Sequence, residues 1–184
     1  GFLGSHLADH FIKDGHHVVG CDSLIGGELD NVPEKADFFQ YDCCFRNSML
    51  KITKGCDIVY HTAATAYEGL SVFSPHLITQ NIVTGSVSLF SAAIENKVKR
   101  IVFCSSMARY GTNNTPFLES YEPTPQDPYG IAKVAAENIL INLCNVHNVE
   151  YVIAVPHNII GPRQKYDDPY RNVASIMINL MLQN

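Results

Sequence analysis

The chain has 184 residues, 46% of them apolar and 17% charged, with 12 glycines and 9 prolines. This is a globular composition. It excludes disordered, collagen-like and low-complexity chains, and the length suits one domain, or one and part of another, with a sizeable core. Thirteen basic and 18 acidic residues give a formal net charge of −5 with no Lys/Arg cluster, so nucleic acid is not an expected partner.

The start, GFLGSHLADHF, lacks the basic-then-apolar layout of a signal peptide, and no uninterrupted apolar run approaches the roughly 20 residues of a membrane-spanning helix. In chain order, a glycine turn leads into a helical stretch at Gly4–Asp14. Short apolar runs rich in β-branched residues follow at His16–Cys21, Asp37–Tyr41, Asp57–Thr62, Val98–Ser105 and Glu150–Pro156. Helical periods lie between and after them, at Asn47–Thr53, His76–Asn96, Tyr129–Asn145 and Tyr170–Leu182. Runs that are apolar throughout predict strands buried on both faces. Their alternation with helices predicts an α/β fold, a doubly wound parallel sheet of Rossmann-like type. No strand precedes the first helix, and the last helix runs to the final residue. The pattern therefore predicts an internal fragment lacking the first, central strand.

The six cysteines show no C-x-x-C spacing and sit mostly in apolar runs, which predicts buried free thiols in a reduced, cytoplasmic protein. The eight histidines share no ligand spacing, and no metal site is expected.

Three places can carry chemistry. Gly1-Phe2-Leu3-Gly4 opens a helix, where glycines let a backbone approach a pyrophosphate, although glycines at a helix start also serve plain turn chemistry. The next strand ends at Asp22, an acid placed to accept both hydroxyls of an adenosine ribose and to repel a 2′-phosphate, or else a turn-former before Ser23. No arginine follows to welcome a phosphate, so NAD is expected over NADP. The second place is Tyr129-Gly-Ile-Ala-Lys133, whose ends share one helical face, with Asp127-Pro128 as a helix start just before. A nearby ammonium favours a phenolate and makes such a tyrosine a base. The third is Cys104-Ser105-Ser106 at a strand's carboxyl end, where open α/β sheets bind ligands and where serines also commonly make turns.

In this order the residues resemble the extended short-chain dehydrogenase/reductase family, the nucleotide-sugar epimerases and dehydratases. The resemblance makes Gly1 and Gly4 the second and third glycines of the dinucleotide loop, with Phe2 and Leu3 between them. It makes Asp22 the ribose acid, and Asp42 and Cys43 the adenine contacts. His61-Thr62-Ala63-Ala64 is similar to the family's H-L-A-A segment beside the cofactor, and Asn81 to the helix Asn that steadies the family's fourth strand. Pro156 is also implied beside the cofactor. Ser106, Tyr129 and Lys133 match the catalytic triad, Lys133 and Tyr129 touching the cofactor as well. His157-Asn158-Ile159-Ile160-Gly161-Pro162-Arg163 resembles the stretch whose Asn, here Asn158, reaches the substrate diphosphate. Ser106, Met107, Tyr129 and Arg171 are the other implied substrate contacts.

Family members that dehydrate sugars carry an acidic pair after the catalytic hydroxyl, where this chain has Met107-Ala108 and then Arg109. The resemblance thus implies an NAD-dependent 4-epimerase acting on a nucleotide-diphosphate sugar, a UDP-sugar first among them, through a 4-keto intermediate. An NAD(P)-dependent dehydratase or reductase and a non-catalytic dinucleotide-binding regulator remain the alternatives. It further implies a cofactor domain over 1–165, the beginning of a substrate-binding region over 166–184, and a homodimer through the helices that contain Ile78–Ile94 and Val134–Leu143.

Overall fold

The structure, a computed structural model, describes residues 1–167 and 173–183; Arg171 lies outside the described residues. Five strands fall inside the five predicted runs: β1 (Val19–Cys21), β2 (Asp37–Phe39), β3 (Ile58–His61), β4 (Arg100–Cys104) and β5 (Glu150–Ala154). Parallel neighbours require crossovers, and helices supply them. They are α1 (Phe2–Lys13), α2 (Arg46–Ile52), α3 (Glu68–Ser71), α4 (Pro75–Thr79), α5 (Gly85–Glu95), α6 (Pro128–His147) and α7 (Val173–Leu182). Every strand pairing is parallel, as the alternation predicts, and the fold is α/β of Rossmann-like type. The sheet comes in two blocks, β1-β2 and β3-β4-β5.

Strands are shorter than their apolar runs. The His16 amide donates back to the Phe11 carbonyl (2.9 Å), so the start of the first run closes α1 instead of pairing. The main core lies between the larger block and two helices. It joins Phe90 and Ala93 of α5, Ile101 and Phe103 of β4, and Ala136, Leu140 and Cys144 of α6. Phe90 and Phe103 meet edge to face at 5.6 Å, a favoured ring arrangement.

Burial on both faces is not what forms. Ile58, Tyr60 and Val152 remain 43%, 41% and 46% exposed. They project from the face opposite α5 and α6, where the Phe11 ring of α1 lies 4.8 Å from that of Tyr60.

The continuous helical stretch Pro75–Glu95 is long and apolar enough, by length and composition, to cross a membrane, which a search for uninterrupted apolar runs misses. Here its Ile78, Ile82, Phe90, Ala92 and Ala93 are buried in the core. Between α4 and α5, residues Gln80–Thr84 form a wider turn with i→i+5 hydrogen bonding. Such turns re-aim side chains within a helix, and this one carries Asn81.

Candidate active site

The site is built at the start of α6. Asp127 Oδ1 accepts a hydrogen bond from the Gly130 amide (2.9 Å), and Pro128 takes the first helical position, where its missing N–H costs nothing. This start puts Tyr129 in the first turn and Lys133 one turn later on the same face. Both are buried, at 7% and 2% exposure. β4 ends beside them. The Lys133 ammonium donates to the Cys104 carbonyl (2.7 Å). Ser106, in extended conformation, caps a tight turn over Met107–Tyr110 by accepting from the Ala108 amide (3.2 Å). The turn is closed by Gly111 at φ 44°, where a Cβ would lie 1.8 Å from the Thr124 carbonyl oxygen, so only glycine fits.

Burial dominates the electrostatics. It pushes Tyr129 up to about 12, opposed by the hydrogen bond with Ser106 and reinforced by the charges of Glu68 and Asp127. It pulls Lys133 down to about 8, against the pull of Cys104 and Glu137. The expectation that Lys133 favours the Tyr129 phenolate is not met in this arrangement. Its Nζ lies 5.9 Å from the Tyr129 ring centre and is committed to a backbone carbonyl, so desolvation of the phenol prevails.

A continuous cavity of about 780 Å³ runs from Gly1–Gly4, Asp22, Asp42 and Cys43 past Ala63 and Ala64 to Tyr129, Lys133 and Pro156. It also takes in the cleft between β1 and β3. Asp22 follows β1 directly and borders the cavity. Its Oδ1 accepts from the Leu24 amide (2.7 Å) as a turn-former. Asp42 likewise holds the Cys44 amide (2.8 Å), and the Cys43 thiol is hydrogen-bonded with that of Cys21. A Cβ on Gly4 would sit 3.1 Å from Thr62 Oγ1, so a glycine lets α1 close on the loop after β3. Asn81 Nδ2 donates to Thr65 Oγ1 (2.8 Å) in that loop.

His61 is 2% exposed, with Nε2 2.9 Å from Ser86 Oγ and its ring against Phe90 and Phe103. Burial pulls its pKa down to about 3, which keeps it a neutral packing residue at the cavity wall. Ser106 meets Tyr129, but Ser106, Met107 and Asn158 do not line the cavity. Asn158 is exposed in the segment after β5, at φ 44°.

Two residues carry more than their sequence context suggested. Ser105, next to the predicted Ser106, lines the cavity. Glu137 is 2% exposed, accepts from Ser105 Oγ, and lies with Oε2 3.3 Å from Arg109 Nη2. Its signal was available as an acid four residues beyond Lys133 on a buried helical face.

The sequence matches the NAD dependent epimerase/dehydratase family over residues 1–184. The UDP-glucose 4-epimerase of Streptomyces lividans is 32% identical over 165 residues, covering 88% of this chain and 50% of that protein. A crystal structure of UDP-glucose 4-epimerase with UDP-glucose from Thermotoga maritima superimposes with a TM-score of 0.95 at 31% identity, covering 100% of this chain and 60% of that one. The UDP-N-acetylglucosamine 4-epimerase of Methanobrevibacter ruminantium, in complex with UDP-N-acetylmuramic acid, gives 0.93 at 34% identity, covering 100% of this chain and 60% of that one. The chain thus spans about half to three fifths of the length of these relatives. With the whole of its sequence matched, the chain belongs to the NAD-dependent epimerase/dehydratase family.

Proposed function

We propose that the complete protein is an NAD-dependent nucleotide-sugar 4-epimerase that takes a UDP-sugar. The observation that carries this reading is the meeting of Tyr129, Lys133 and the Ser106 turn at the carboxyl end of β4, beside the cavity.

The residues fit a dinucleotide. The cavity falls within the roughly 300–1,000 Å³ of small-molecule sites, and the glycines at its α1 end leave backbone N–H groups at a helix start for the pyrophosphate. In this reading Asp22 takes the adenosine ribose and disfavours a 2′-phosphate, and Asp42 and Cys43 flank the adenine. Ala63, Ala64 and Pro156 border the nicotinamide half, and Lys133 holds its ribose.

NAD, when bound, supplies a positively charged ring that takes the hydride from sugar C4 and gives it back. Tyr129 removes the proton of the 4-hydroxyl, directly or through Ser106, and returns a proton when the 4-keto sugar is reduced on its other face. Two copies pairing through the outer sides of α5 and α6 complete the reading, with Ile131 and Val146 of α6 exposed there at 54% and 65%.

Elimination of water needs a free acid beside the catalytic hydroxyl. Met107 and Ala108 supply none, and the nearby Glu137 carboxylate is engaged by Ser105 and Arg109. One observation favours the dehydratase reading. Glu68 stands close enough to Tyr129 to raise its pKa, and burial followed by the charge of Asp127 raises the pKa of Glu68 itself, as suits an acid.

The test is to incubate the complete protein with NAD and, separately, UDP-glucose, UDP-galactose and their N-acetyl forms. Interconversion without net NADH is the expected result. Accumulation of a 4-keto-6-deoxy sugar, or net consumption of NADPH, would overturn it.

A further inference from the structure

Proton transfer in the proposed reaction requires one fixed separation between Ser106 and Tyr129, yet the two sit on different elements. Ser106 stands in the turn after β4, and Tyr129 in the first turn of α6. Glu137 joins these elements. With Tyr129 and Lys133 it forms a single stripe along α6, each member one turn from the next. One of its carboxylate oxygens accepts from the Ser105 hydroxyl, and the other lies 3.3 Å from the Arg109 guanidinium. Ser105 immediately precedes Ser106, and Arg109 is the third residue after it. A single buried carboxylate therefore grips both flanks of the segment that presents the hydroxyl.

Besides the Ser106–Tyr129 hydrogen bond and the Lys133 ammonium on the Cys104 carbonyl, both within one turn of the phenol, the segment's backbone is held from elements other than α6. The Ser105 amide donates to Ala154 (2.8 Å) and the Thr124 amide to the Arg109 carbonyl (2.8 Å), neither of them on α6. Gly130 meets the segment by close approach, since a Cβ there would lie 3.0 Å from the Ala108 oxygen. The guanidinium also lies over the Tyr110 ring, 5.3 Å from its centre, while Arg109 Nε is buried without a hydrogen-bond partner. For stability alone, a buried ion pair is often no better than packed apolar side chains of the same volume, so a charged clamp here calls for a role in placement.

We infer that Glu137 is a positioning residue, which locks the Ser105–Arg109 segment to α6 and so sets the separation of Ser106 from Tyr129. The chemistry it serves rests on the epimerase reading above; the clamp itself does not.

Glu137→Gln is the decisive variant. It keeps the volume and can still accept from Ser105, but it turns an amide N–H toward Arg109. In the complete protein loaded with NAD, kcat for UDP-sugar interconversion is expected to fall about ten- to a hundredfold with KM within about twofold, the size of effect that follows from misplacing a reacting group. In a Ser106→Ala background the same substitution is expected to cost nothing further, because the hydroxyl it positions is gone. Hydrogen–deuterium exchange is expected to quicken in the peptide spanning residues 105–110 and to stay unchanged elsewhere along β4 and α6.

Equal loss of kcat in both backgrounds, or faster exchange throughout the core, would overturn the inference in favour of a merely structural carboxylate. Should the unmodified protein interconvert no UDP-sugar, the epimerase reading fails while the exchange experiment still decides the clamp. Should Glu137→Gln not fold, Ser105→Ala removes one arm, with a loss of about threefold in kcat expected and the same local exchange pattern.

Discussion

Around β4 and α6, Phe90, Ile101, Phe103 and Leu140 are fully buried, and even Lys133 and Glu137 are 2% exposed. Around β1 and α1, by contrast, all three strand residues are half-buried, and Ser5 is the buried residue of α1. The difference follows the packing: α5 and α6 cover β4, whereas among the described residues β1 pairs with β2 alone. Loss of water is the largest cause of the proton-affinity shifts of Tyr129 and Lys133, and the α6 side removes it. In the proposed reading a dinucleotide lies against the backbone N–H groups and carboxylates of the β1 side, which border the cavity. Substitutions on the closed side should therefore change rates and pH dependence, while those on the open side should change affinity.

Tyr129→Phe tests the closed side most severely. Loss of the only proposed proton acceptor is expected to lower kcat for UDP-sugar interconversion about a thousandfold, or about 4 kcal/mol in barrier. NAD affinity, measured by calorimetric titration, should stay within about twofold. Retention of full activity would remove Tyr129 from the mechanism whatever the sugar.

Lys133→Met tests the same side through stability. The folded pKa of Lys133, about 8, lies below the ordinary lysine value, so between these values the unfolded chain binds more protons than the folded one. Stability lost by burying the charge is therefore recovered as pH rises. The unmodified protein should gain roughly 2 kcal/mol on Lys133→Met between about pH 7 and pH 9.5 in denaturant titrations. A constant difference across that range would show that Lys133 is solvated in the folded state.

Much of this was legible in the residues, and the parts that were not share a cause. The alternation of apolar runs and helical periods gives the parallel α/β fold because strand and helix each bury a characteristic spacing. The run His16–Cys21 cannot reveal that His16 closes α1, since that depends on where the Phe11 carbonyl lies. Likewise, apolar strands announce a core on both faces but not how little of β3 the helix α1 covers. The Tyr129–Lys133 spacing fixes a shared helical face. It leaves open the direction of the Tyr129 shift, which Glu68 reinforces from across the fold and which Lys133, turned to Cys104, does not reverse. Pairwise spacing along one element is thus readable, whereas any charge balance summed over several elements awaits the fold.

On the open side, Asp22→Ala is expected to weaken NAD binding about tenfold, the worth of one charge-assisted hydrogen bond, and to leave kcat at saturating NAD within about twofold. Gly27→Ala offers a second route to the same outcome. Its Cβ would fall 2.6 Å from Asp22 Oδ2 and push the carboxylate aside without removing it. If either variant lowered kcat as much as affinity, the division between the two sides would not hold.

The smallest effect lies where the two sides of the comparison can be separated within one residue. Asp127 caps α6 through the Gly130 amide, and its charge also helps hold the Tyr129 pKa up. Asp127→Ala removes both contributions and should cost about 1 kcal/mol of stability, the usual worth of an N-cap. Asp127→Asn keeps an oxygen to accept from Gly130 and discards the charge, so most of that stability should return. The acid limb of the kcat profile should then move to lower pH, because Tyr129 ionises more readily without a carboxylate beside it. If Asp127→Asn were as unstable as Asp127→Ala, with the pH profile unmoved, the carboxylate would be acting on α6 by charge alone and not as a hydrogen-bonding cap. The order in which stability and pH profile respond thus separates the placement of Tyr129 from the tuning of its proton affinity.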